Sequence, residues 1–275
     1  MTNVRLRRGD GPLLISAPHV GVTVPDDIAA RLTDAGRALV DTDWEVERLY
    51  PFAEDLRATT LTAVWSRYVV DVNRDPDGTS LYPGARTTGL CPTETFEGEP
   101  IYRAGAEPGD AEVAERRTRY WEPYHAVLRE ELDRIRARHG YALLVDAHSI
   151  WGRLPLLFEG ELPAVNLGTN SGRACLPAAI DAVVAAVAPS PYDIVVDGRF
   201  KGGYITRHYG VPHAGVQALQ IELNQRAYLA EDSRTAWDPP KAARLSAVLR
   251  AVCEAYLGSG VPPTTTPVQR LEPSQ

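Results

Sequence analysis

The chain has 275 residues, 44% of them hydrophobic and 24% charged, with a formal net charge of −7. This is the composition of a folded globular protein and excludes disordered, collagen-like and coiled-coil classes; the acidic balance also argues against nucleic acid as a partner, which requires a basic footprint. The apolar runs fall far short of the roughly 20 residues that span a bilayer, and the run after Arg5, Arg7 and Arg8 stops at Pro18-His19, too short for a secretory signal, so a cytoplasmic protein without membrane partners is expected.

Strand-like and helix-like segments alternate along the chain, which predicts an α/β fold in one domain over residues 1–258. Residues 12–17 read as a buried strand, 26–32 as a short helix, and 43–56 as a longer helix kinked at Pro51. Residues 59–65 and 68–72 are β-rich. Residues 75–108 form a Gly/Pro-punctuated stretch too long for a simple connector; Tyr82, Arg86, Phe96 and Tyr102 within it suggest that it is ordered. The strongest helical pattern is 110–139, where Trp121, Tyr124, Leu128, Leu132 and Ile135 recur at spacings of three and four, with a bend expected at Pro123. Gly140 caps it, and a strand follows at 141–147. After an irregular stretch at 149–172 come a helix at 177–188, a strand at 192–196, a basic loop at 199–208, a strand at 215–223 and a closing helix at 240–257. Residues 259–275, rich in Pro and Thr, read as a disordered tail.

Three polar residues fall at the carboxyl ends of predicted strands, where an open α/β sheet places its active site. His19 follows Leu-Leu-Ile-Ser-Ala-Pro. His148 ends Leu-Leu-Val-Asp-Ala-His, and strict alternation puts it on the same face as Leu144 and Asp146. Glu222 shares a face with Gln220, opposite Leu219, Ile221 and Leu223. The competing readings are structural: a satisfied core histidine, or a buried glutamate matched to an arginine. Two histidines in one topological position favour a metal, because neutral imidazole is a common zinc ligand, and a catalytic zinc with three protein ligands needs one more donor. The 41–44 run, Asp-Thr-Asp-Trp, offers Asp41 and Asp43, and Asp41 also suits helix N-capping. Cys91, Cys175 and Cys253 are far apart and odd in number, which excludes a disulfide framework and a structural zinc cluster.

In this order, PHVGVTVP, DTDWEVERLY, SRYVVDVNRD, LYPG, TGLCP, LVDAHSI, LPAVNLGT, GRFKGGYITRHYG and QIELNQ resemble the N-formylglutamate amidohydrolases, enzymes of one histidine-degradation route, from about Leu13 to about Ala255. The resemblance implies a zinc-carboxypeptidase-like fold, with a mixed, mostly parallel sheet flanked by helices and one divalent metal, zinc, at the strand ends. It further implies His19, Asp43 and His148 as metal ligands and Glu222 as general base. In that clan a glutamate ligand often stands three residues after the first histidine, where this chain has Val22, so the carboxylate comes from elsewhere and Asp43 is preferred to Asp41. Asn73-Arg74 is similar to the pair that grips the substrate carboxylate in carboxypeptidase-like enzymes. With Arg67, Arg86, Lys201 and Arg207 it makes up the candidate substrate-binding set, because a dianionic substrate in an acidic protein needs clustered local cations. The implied reaction is hydrolysis of N-formyl-L-glutamate to formate and L-glutamate. Three alternatives remain: a zinc hydrolase of other N-acyl amino acids or C-terminal peptide bonds, a cysteine amidohydrolase using Cys91, and a non-enzymatic binder of acidic metabolites.

Overall fold

The computed structural model describes residues 2–79 and 87–259; Tyr82, Arg86 and residues 260–275 lie outside the described residues. Among the described residues seven strands form one sheet: β1 (Val4–Arg7), β2 (Leu13–Ala17), β3 (Thr59–Ala63), β4 (Ala142–Ile150), β5 (Val165–Gly168), β6 (Ile194–Val196) and β7 (Val216–Asn224). Their order is β1-β3-β2-β4-β7-β5-β6. The β1–β3 and β7–β5 pairs are antiparallel and the other neighbours parallel, which gives the expected mixed, mostly parallel sheet.

Every residue of the central strands β2, β4 and β7 is buried, as for strands covered on both faces. Alternation divides them between two cores. Leu13, Ile15, Leu143, Val145, Leu219 and Ile221 pack against helices α5 (Pro177–Val187) and α7 (Pro239–Ser259). Leu14, Leu144 and Ala218 face the other way, toward Tyr124, Leu128, Leu132 and Ile135 of α4 (Glu122–His139). Toward the carboxyl ends, the positions on the α4 side become Asp146, His148, Gln220 and Glu222, and there the sheet stops being core and becomes a site.

The predicted bend near Pro123 takes the form of a π-helical turn, Arg117–Trp121, between α3 (Asp110–Arg116) and α4. Pro123 has no N–H to continue the α-helical ladder, and a π turn at that point absorbs the lost bond.

Several expectations are corrected. Residues 68–72 are not a strand. Their backbone carbonyls are taken by side chains: Arg116 donates to Val69 O at 3.1 Å, Tyr102 to Tyr68 O at 3.1 Å and His125 to Val72 O at 2.8 Å. These bonds replace a sheet ladder, while β-branched side chains fill the core. The predicted helix at 43–56 is two short 3₁₀ turns, Val46–Leu49 and Pro51–Ala53, because Glu45 is left-handed (φ 59°) and Pro51 interrupts the register. The predicted helix at 26–32 shortens to α1 (Asp26–Ala29), and α2 (Asp34–Ala38) follows unannounced. The 199–208 loop contains helix α6 (Tyr204–Tyr209). The closing helix α7 extends to Ser259, so the first residue assigned to the tail is helical. No helix among the described residues is long and apolar enough to cross a membrane.

Candidate active site

The parallel register sets His148 of β4 beside Glu222 of β7, and Asp146 beside Gln220. His19 enters from the end of β2. Asp43 is fixed between the two histidine segments: its N–H donates to His19 O at 3.1 Å, and its Oδ2 accepts the Ser149 N–H at 3.1 Å. His19, Asp43 and His148 are all buried, and one ligand atom from each lies within 4.8 Å of the others. His148 Nδ1 is 3.0 Å and His19 Nδ1 3.7 Å from Asp43 Oδ2. These distances bracket the edge of about 3.4 Å that a tetrahedron with metal bonds of about 2.0–2.1 Å would have.

Carboxylates stand behind both imidazoles. His19 Nε2 lies 2.7 Å from Asp71 Oδ1, an acceptor only, so Nε2 carries the proton and the Nδ1 lone pair faces Asp43. Asp71 also accepts from Arg67 Nη2 at 2.7 Å and from the Asn73 N–H at 2.9 Å. Although burial opposes its charge, Arg74, His19 and Arg67 hold Asp71 well below the usual carboxylate range. His148 Nε2 lies 3.0 Å from Asp146 Oδ1 and 2.8 Å from Asn73 Nδ2. Donation to Asp146 turns the Nδ1 lone pair toward Asp43, whereas acceptance from Asn73 puts the proton on Nδ1, so its position is tied to what sits between the ligands. Burial works against a charged His148, but Asp146 and Asp43 outweigh it and raise the imidazole well above its ordinary value. Burial and Arg67 push His19 the other way.

The donor set suits a divalent cation. Two imidazoles and one carboxylate are a common catalytic-zinc set, and carboxylates behind metal-ligating histidines are the usual means of orienting them. Both imidazoles face Asp43 Oδ2, while Asp43 Oδ1, buried with no hydrogen-bond partner, has the Arg67 guanidinium 3.6 Å away, so the carboxylate is held ionised with one oxygen turned to the histidines.

Glu222, 7% exposed, accepts from Gln220 Nε2 at 3.1 Å, and Gln220 Oε1 accepts the Gly203 N–H at 2.6 Å. Burial pushes the Glu222 carboxyl up to about 8. His19, Asp43, His148 and Glu222 all line a cavity of about 220 Å³, together with Arg67, Asn73, Arg74 and Arg199. The Asn73-Arg74 segment is held by the π-helical turn: Trp121 Nε1 donates to Arg74 O at 3.1 Å. Asn73 Oδ1 accepts the Ile205 N–H at 2.7 Å, and a Cβ on Gly203 would stand 2.4 Å from Asn73 Nδ2, so only glycine admits this approach. Arg74 donates from Nε to Thr88 O and from Nη2 to Thr88 Oγ1, both at 3.1 Å.

Other expected residues lie elsewhere. Asp41 Oδ2 accepts from Tyr68 Oη at 2.8 Å and the Phe96 N–H at 2.9 Å; no helix begins there for it to cap, and it fixes the cavity wall instead. Val22 is 48% exposed. Lys201 is exposed and Arg207 donates from Nε to Gly202 O at 2.8 Å; neither lines the cavity. Arg86 falls outside the described residues. Cys91 Sγ donates to Val69 O at 3.4 Å, burial pushes the thiol up to about 11, and it does not line the cavity. Sequence reasoning missed Asp71, hidden in a segment misread as strand, and Arg199. Asp146 carried a signal, since alternation had already placed it on the face of His148.

Residues 11–229 match the N-formylglutamate amidohydrolase family. The chain is 49% identical over 261 residues to an N-formylglutamate deformylase of Pseudomonas aeruginosa, covering 92% of this chain and 96% of that protein. It is 44% identical over 254 residues to one of Pseudomonas putida, covering 92% and 95%. The crystal structure of an N-formylglutamate amidohydrolase from Ralstonia eutropha JMP134 superposes with a TM-score of 0.77 at 26% identity, over 93% of this chain and 97% of that one. The match, the relatives and the shared architecture together make this chain a member of the N-formylglutamate amidohydrolase family.

Proposed function

We propose that this protein hydrolyses N-formyl-L-glutamate to formate and L-glutamate, using a divalent cation, zinc by the character of its donors, held by His19, Asp43 and His148. The observation that carries the reading is the convergence, at the base of one arginine-lined cavity, of that donor set with a buried carboxylate, in a chain whose relatives bear the deformylase name. Histidine degradation in the cytoplasm is the setting that this family membership suggests.

A cation bound there would supply Lewis acidity, polarising the formyl oxygen and acidifying water. The rest falls to the chain. Glu222, its Oε2 fixed by Gln220 and its carboxyl pushed up by burial in the metal-free protein, would be ionised beside a bound cation, accept a proton from water and pass it to the glutamate nitrogen as the C–N bond breaks. Asp71 and Asp146 orient the two imidazoles. Arg67, 5% exposed, bound to Asp71 and 3.6 Å from Asp43, contributes a fixed positive charge next to the donor set. Arg74, its guanidinium plane set by Thr88 and by Asn73 O, would bind a substrate carboxylate with its remaining N–H groups. Asn73 is engaged by Ile205, His148 and Asp146, and we assign it to positioning His148 rather than to gripping the substrate.

The cavity, about 220 Å³, is of a size to hold a small amino-acid derivative. The buried, hydrogen-bonded Cys91 gives no support to a thiolate mechanism. The test is release of L-glutamate and formate from N-formyl-L-glutamate by purified, zinc-loaded protein, with N-acetyl-L-glutamate and a C-terminal glutamyl dipeptide as competitors. Turnover of a competitor in preference to the formyl compound would overturn the assignment.

A further inference from the structure

A glutamate derivative carries two carboxylates separated by methylenes, so one cationic cluster is not enough to recognise it. At one end of the cavity Arg67 and Arg74 lie together, and both are set against Asp71, at 2.7 and 3.9 Å; Arg67 is also 3.6 Å from Asp43. That end is therefore partly neutralised before any substrate arrives. Arg199 reaches the same cavity from the chain following β6, the edge strand of the sheet, whereas Arg67 and Arg74 follow β3 on the other side of the central strands. Its Nε donates to Leu157 O at 2.9 Å and its guanidinium carbon lies 5.1 Å from the Phe200 ring centroid, contacts that fix the orientation of a half-buried side chain. Leu157 and Phe200 belong to a satellite apolar cluster with Phe96 and Ile150, and all four line the cavity. Phe96, part of that apolar cluster, lies 4.7 Å from the Arg67 guanidinium carbon, as Phe200 lies against Arg199, so the apolar wall touches a cation at each side, the lining that a substrate of carboxylate, methylenes and carboxylate requires.

We propose that Arg199 is the specificity-determining residue that binds the side-chain carboxylate of the substrate. The assignment rests on the deformylase reading for the chemistry but makes its own claim about the subsite. The experiment is a substrate–variant cycle on zinc-loaded protein, comparing N-formyl-L-glutamate with N-formyl-L-glutamine in wild type, Arg199→Gln and Arg199→Lys. Loss of a charge-assisted carboxylate contact should lower kcat/KM for the glutamate compound roughly 30-fold or more in Arg199→Gln, chiefly through KM. For the glutamine compound it should stay within about twofold, and Arg199→Lys should recover part of the preference. Equal losses on both substrates, or an undiminished preference for glutamate in Arg199→Gln, would overturn the assignment. Calorimetric binding of L-glutamate against L-glutamine to the same three proteins reads the subsite without turnover. If wild type hydrolyses neither formyl compound, the deformylase reading fails, and this binding preference still decides the role of Arg199: lost in Arg199→Gln it supports the assignment, and retained it refutes it.

Discussion

Replacing Glu222 with glutamine keeps the shape of the side chain and removes its charge and its capacity to accept a proton. Gln220 Nε2, 3.1 Å from Glu222 Oε2, can still donate to the new amide oxygen, so the local packing is preserved. Loss of a general base costs about 10²–10⁴ in rate, and zinc content should be unchanged because Glu222 is not one of the three clustered donors. The substitution also has a signature in stability. Burial raises the carboxyl from 4.5 to about 8 in the folded protein, so between those values the folded state holds a proton that the unfolded state has released. Stability contributed by the protonated form is complete below about pH 4.5 and is lost as pH rises through 8. At 1.36 kcal/mol per pKa step the full loss is at most roughly 5 kcal/mol, of which a few kcal/mol survive interior relaxation and water entry. Urea unfolding of metal-stripped protein should therefore show Glu222→Gln gaining on wild type from pH 5 to pH 9. A variant that keeps most of its turnover at saturating substrate, or a stability difference flat across that range, would refute the assigned role and the buried charge behind it.

Asp71→Asn keeps an oxygen behind His19 but removes the negative charge and sets an amide NH₂ against Arg67, and should weaken zinc binding about 10- to 100-fold in a chelator competition, whereas Asp41→Asn, whose side chain bonds Tyr68 and Phe96 and none of the donors, should leave zinc affinity unchanged; the reverse order would exchange the roles of the two aspartates. Zinc uptake at pH 7 should release protons, because Asp43 and Asp146 hold His148 in its charged form until a cation displaces the proton; calorimetry in buffers of different ionisation enthalpy measures this, and zero release contradicts it. Gly203→Ala introduces a methyl 2.4 Å from Asn73 Nδ2 at a backbone position that imposes no strain of its own, so activity should fall through displacement of Asn73 and His148. A crystal structure of that variant with Asn73 unmoved would exclude the mechanism.

The central architecture was legible because β2 and the first half of β4 are apolar runs, β7 alternates Leu219, Ile221 and Leu223 with Gln220 and Glu222, and α4, α5 and α7 carry long helical periodicity. The edges were not. β1 alternates half-buried and exposed residues over four positions, and β5 spans only Val165–Gly168 with Asn166 and Gly168 in it, too short and too polar to register as strands. Residues 68–72 have the composition of a strand, but side-chain donors from α3, α4 and the 87–108 segment satisfy their backbone. The four residues named for metal and proton chemistry meet in one cavity because three of them end strands; their place at strand ends was legible, while the adjacency of β2, β4 and β7 that brings them together came from the structure. The cations depended on loop paths, which it does not, and so Arg199 lines the cavity where Lys201 and Arg207 had been expected.

Hydrolysis of N-formyl-L-glutamate by the purified protein, followed as formate release through a cycle of metal removal and restoration, tests the metal, the base and the substrate together. Activity should vanish with chelation, return with about one equivalent of zinc per chain, and be unaffected by thiol alkylation, since the Cys91 thiol titrates near 11 and lies outside the cavity. Activity that withstands complete metal removal and is abolished by alkylation would contradict the assigned roles of His19, Asp43, His148 and Glu222 together.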